Sequence, residues 1–134
     1  MDEPRRRLVR FLAALGAVAV ALAYVLIGLD VITVVDDQAA ADPTPLFVAA
    51  ALFAALAALL VTWSPRPVLA AGAVLQLVVI FGYLLISTER SPAFEAWGLG
   101  VKALQVALFV ALLALILQRA PSAQERSPTG GQRA

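Results

Sequence analysis

Four apolar stretches divide this chain, and they constrain its fold more than any other feature: Phe11 to Leu29, Leu46 to Val61, Val68 to Ile86 and Leu99 to Leu117. A helix rises about 1.5 Å per residue, so about 20 apolar residues cross a hydrocarbon core about 30 Å thick. The first, third and fourth stretches meet that length. The second does so only when Thr62 and Trp63 are counted with it. Ala, Leu and Val fill these stretches in unbroken runs, without the one-sided spacing of a helix that hides a single face from water. Charged residues make up 14% of the chain, against about 25% in soluble domains. The alternation of β-barrel strands is absent. The sequence predicts an all-α membrane protein, a four-transmembrane-helix bundle with helices at about 11–35, 46–63, 68–86 and 97–117.

The breaks carry turn chemistry. Asp36, Asp37, Asp42, Pro43 and Pro45 separate the first two stretches, and the prolines stop a helix. Trp63 to Pro67 leaves room only for a tight hairpin, and Ser87 to Pro92 resets the chain before the fourth stretch. From Gln118 onward Ser, Pro, Gly and Gln predominate, which predicts a disordered tail over 118–134. Lys and Arg in short flanks set orientation. The flank 1–10 holds Arg5, Arg6, Arg7 and Arg10; the first loop holds only aspartates. The second loop has Arg66, the third balances Arg90 against Glu89 and Glu95, and the tail holds Arg119, Arg126 and Arg133. This alternation places both termini in the cytoplasm and the protein in the cell membrane. Trp63 falls at the inner boundary and Trp97 at the outer one, where amphipathic rings settle. A cleaved signal peptide ending near Ala39–Ala41 is the competing account of the first stretch, but that stretch is too long for a signal core of about 7–15 residues.

The two halves resemble each other. Gly16-Ala17-Val18 and Tyr24 in the first helix match Gly72-Ala73-Val74 and Tyr83 in the third, and Phe53 in the second matches Phe109 in the fourth. This reads equally well as a parallel duplication of a helical hairpin or as chance agreement within an alphabet of Ala, Leu and Val. Small residues four apart, as in Ala13/Ala17/Ala21, Ala50/Ala54/Ala58 and Ala103/Ala107/Ala111, let helices approach closely, and interior packing is the expected use of all three faces.

Cys and His are absent. That removes disulfides, thiolate chemistry and the usual neutral-pH base and zinc ligand. No nucleophile elbow, P-loop or EF-hand loop is found, and the net charge of +1 gives no field for nucleic acid. No catalytic, cofactor-binding or metal-binding residue is assigned. The candidate site is a polar pocket formed by Asp30, Gln76, Tyr83, Lys102 and Gln105, because polar groups inside an apolar span are costly and have a reason to be there. Asp30 and Lys102 fall at matched depth and are the candidate ion pair; the favoured alternative is that Asp30 ends the first helix in headgroup water while Lys102 snorkels outward. Gln76 and Gln105 are expected to hydrogen-bond as interhelical glue. These features predict a non-catalytic accessory or structural membrane component, not an enzyme, with the lipid bilayer and a membrane protein as its partners. The alternative is a small transporter or channel acting as a homo-oligomer. The basic start, Arg5 to Arg10, suits anionic inner-leaflet lipid, but nearly every protein with its N-terminus inside carries such a flank, so it signals topology more than function.

Overall fold

The computed structural model describes residues 2–32, 42–87 and 96–118. The loop aspartates Asp36 and Asp37, the turn around Glu89 and Arg90, and the tail from Arg119 lie outside the described residues. Those residues form four helices, α1 (Glu3–Gly28), α2 (Thr44–Thr62), α3 (Arg66–Ser87) and α4 (Ala96–Leu117). All four are long and apolar enough to cross a bilayer. Each packs against its neighbours in sequence, α1 closes the ring against α4, and the diagonal pairs do not meet.

Helix α1 departs from the expected 11–35 at both ends. It begins at Glu3, with Pro4 in its first turn, where the missing proline N–H costs nothing. The basic flank is therefore helical. Arg7 reaches back to Glu3 at 3.2 Å, an exposed pair one turn apart that adds only tenths of a kcal/mol. The helix stops at Gly28 because Asp30 takes a left-handed conformation, φ 58°. The Asp30 N–H bonds the carbonyl of Ile27 at 3.0 Å, and Val31 N–H bonds that of Leu26 at 2.9 Å. This crossed pair is a Schellman stop, which satisfies carbonyls that a helix end leaves open. The proposed extension through Thr33 to Val35 would lie beyond that stop, outside the described residues.

The other boundaries shift by a residue or two. The Thr44 N–H donates to the Asp42 carboxylate at 2.9 Å, an Asx turn that starts α2 ahead of Pro45. Hydrogen bonding from the Thr44 side chain, and after it from the Thr44 N–H, holds the Asp42 carboxyl below its ordinary range. At the far end the Thr62 hydroxyl donates to the Ala58 carbonyl at 2.8 Å, Trp63 is extended, and α3 restarts at Arg66.

The small-residue faces do not all turn inward as expected. Ala13, Ala17 and Ala21 of α1 are buried. On α2 the inward positions are Ala50, Phe53, Leu56, Ala57 and Leu60, and Ala54 and Ala58 are exposed. On α4 they are Gly98, Gln105, Leu108, Leu112 and Leu115, so Ala103 and Ala107 also point out. The reason is volume. A ring of four helices needs bulk at its centre to reach native packing density, and Phe53, Leu60 and Leu112, each fully buried, supply it against the slender face of α1. Gly72 is shaped to the same filling, since a Cβ there would stand 2.8 Å from Leu56 Cδ1 and 3.2 Å from Leu112 Cδ1.

Candidate functional site

The polar side chains gather toward the end of the bundle where α1 and α3 finish and α4 begins. At about 1.5 Å per residue, Tyr24 and Tyr83 sit about 6 Å from the ends of their helices, Lys102 about 9 Å into α4 and Gln105 about 13 Å. Lys102 Nζ donates to the Tyr24 hydroxyl at 3.0 Å and to Gln105 Oε1 at 2.7 Å. Gln105 Nε2 donates to the same Tyr24 hydroxyl at 3.0 Å. Three polar groups thus close a triangle across the α1–α4 seam, with the Tyr24 oxygen accepting twice.

Aromatic rings enclose the ammonium. It lies 5.6 Å from the centre of the Tyr24 ring and 4.8 Å from that of Tyr83, within the range of cation–π attraction. Phe53 of α2 stacks on Tyr24 with centroids 5.9 Å apart. Every helix therefore contributes to the cluster. Gly98 gives Tyr83 its place, because a Cβ at Gly98 would come within 2.5 Å of the Tyr83 hydroxyl.

Three of the five expected pocket residues, Tyr83, Lys102 and Gln105, meet here. The other two do not join them. Asp30 is exposed on the stop turn after α1, and the candidate Asp30–Lys102 ion pair is not formed. The lysine turns instead to Tyr24 and Gln105, whose oxygens lie inside the bundle. Gln76 is fully buried, yet neither its amide nitrogen nor its oxygen has a hydrogen-bond partner. The expected Gln76–Gln105 bond is replaced by the triangle, which engages both amide atoms of Gln105. Gln76 sits two helical turns below Tyr83, near the middle of α3.

The central residue that the sequence reading of the pocket left out is Tyr24. The signal for it lay in the repeat: Tyr24 and Tyr83, the aligned tyrosines of the two halves, flank one lysine. Other matched positions share an environment too, with Ala17 and Ala73 buried and Leu56 and Leu112 buried. Among the described residues no three Asp, Glu, His or Cys side chains stand together as metal ligands. The chain matches no family model, no curated protein and no solved structure.

Proposed function

We propose that this chain is an integral membrane protein that crosses the bilayer four times with both termini cytoplasmic, and that it acts as a non-catalytic accessory or structural component. The membrane placement is supported by four helices of spanning length and by the large apolar side chains they turn outward, among them Leu22, Val78, Leu85 and Val110. In water such a surface would drive association; in lipid it is the solvated face. Trp63 and Trp97 stand exposed at opposite ends of the bundle, as interfacial anchors do. Orientation rests on the arginines of the first turns of α1.

One observation carries the accessory reading. The charged group of the interior is engaged within the bundle, Lys102 with Tyr24 and Gln105, and Gln105 with Tyr24, while Gln76 alone of the buried glutamines stays outside that cluster. Such a cluster fixes helices in place and leaves little with which to act on a substrate. The outward alanines of α2 and α4 suit close approach by another transmembrane helix. The transporter or channel alternative draws on Gln76, a buried amide whose nitrogen and oxygen have no hydrogen-bond partner. Extraction in mild detergent followed by native mass spectrometry decides between them. A stoichiometric foreign subunit is the expected result. A homo-oligomer that retains a small molecule overturns the accessory reading and favours transport.

A further inference from the structure

At the opposite end of the bundle, the first turns of α1 and the α2–α3 hairpin enclose a polar cavity of about 330 Å³. Arg6, Arg7, Arg10 and Glu3 line one side, and Trp63 and Ser64 the other. Glu3 is paired with Arg7. Arg6 and Arg10 share the cavity with Glu3 but form no ion pair among the described residues. Arg10 donates to Ser64 Oγ at 3.4 Å, which leaves the serine hydroxyl free to donate. Guanidinium and hydroxyl donors around an excess of positive charge are the chemistry of a phosphate site.

A second cavity meets the first. An apolar groove of about 810 Å³ runs between α1 and α2, and Thr62 lines both spaces. Phe11, Leu15 and Val18 form one wall, and Ala54, Ala58 and Val61 the other. The small outward alanines of α2 leave the groove its room. A polar chamber thus lies beside an apolar groove, with Thr62 on the border of both, an arrangement that matches the polarity of one phospholipid molecule lying against the helices.

We propose that the cavity and groove together bind an anionic phospholipid, its phosphate held by Arg6 and Arg10 beside Ser64 and an acyl chain laid between α1 and α2. A free phosphate would use only the first chamber. The adjacency of the two at Thr62 favours the lipid, and the positive charge favours an anionic headgroup over a zwitterionic one. The inference rests on the membrane placement argued above but not on the accessory role.

The test uses the full chain in detergent, titrated with phosphatidylglycerol or with phosphatidylcholine of identical acyl chains, and native mass spectrometry to count bound lipid. Phosphatidylglycerol should be retained in preference, by about ten-fold or more in apparent affinity. Arg6→Gln with Arg10→Gln should abolish that preference, whereas the charge-matched Arg5→Gln with Arg66→Gln, outside the cavity, should keep it. Arg6 is exposed, so Arg6→Gln alone serves if the double variant does not fold, with at least a three-fold loss expected. Ala54→Leu with Ala58→Leu should fill the groove and weaken lipid retention. Inorganic phosphate should not compete. Equal retention of the two lipids, or equal losses in the cavity and control variants, overturns the site. Displacement by inorganic phosphate that is insensitive to groove filling makes it a soluble phosphate site and overturns the lipid assignment. Sedimentation of the native chain with membranes reads the membrane placement separately.

Discussion

Lys102 and Gln76 show two outcomes for a polar side chain inside an apolar helix. Lys102, the only lysine in the chain, reaches two oxygens and two aromatic faces. Gln76 reaches none. A buried amide without partners costs about 1–3 kcal/mol, whereas leucine has a similar volume and nothing to satisfy. Gln76→Leu should therefore stabilise the protein by about 1–3 kcal/mol in denaturant titrations in detergent. A loss of stability of that size would mean that the amide meets a bound molecule in the working protein, which would strengthen the transport alternative. The positions on either side of the cluster are equally particular. Gly98 is glycine because Tyr83 occupies the space a side chain would need. Asp30 tolerates a left-handed backbone that a β-branched residue would not.

At the scale of the helices, α1 packs most closely against α2, with Ala13, Ala17 and Ala21 buried, and the polar hydrogen bonds of the interior cross from α1 to α4. The triangle of Tyr24, Lys102 and Gln105 fastens the α1–α4 seam near one end. Interhelical hydrogen bonds in bilayers contribute about 0.6 kcal/mol on average and about 1.7 at most. Tyr24→Phe should cost about 0.6–1.7 kcal/mol on that scale. Combined with Gln105→Leu it should cost less than the two single losses added, since the variants remove a shared bond. Strict additivity in such a double-mutant cycle would show that the triangle does not couple α1 to α4. The number of helices was legible in the sequence, because a run of apolar residues long enough to span needs no tertiary information. Helix ends were less so. Asp30 looked like a charge inside a continuing apolar run, since Val31 and Ile32 follow it, and nothing local announced the left-handed turn. Inward faces were read least well. Alanine spacing marks where helices can approach, but which approach occurs depends on where Phe53, Leu60 and Leu112 find volume. The pocket residues Lys102 and Gln105 were legible as polar interruptions of α4. Tyr24 was not, because a tyrosine near a helix end is as easily an interfacial anchor as a hydrogen-bond acceptor.

For the whole molecule, the two ends differ in kind, and orientation decides what each end can meet. One end gathers Arg6, Arg7 and Arg10 against the hairpin at Trp63 and Ser64. The other end carries the neutral aromatic enclosure of Lys102, with Asp30 and Asp42 exposed nearby on the turns. Positive flanks are retained on the cytoplasmic side during insertion, so the arginine cavity should face the inner leaflet, where anionic lipids lie. The chain has no cysteine, and single introduced thiols therefore report position without background. With a membrane-impermeant maleimide on intact cells, Ser91→Cys should react, while Ser64→Cys and Ser127→Cys should react only after permeabilisation. Reaction at Ser64→Cys from outside would invert the protein. It would also turn the arginine cavity toward the outer leaflet, so that a lipid held there would have to be drawn from a different pool. The preference for a negative headgroup would survive that inversion, because it depends on Arg6 and Arg10 rather than on the side they face. Labelling and lipid titration thus test separate claims, and a failure in one leaves the other standing.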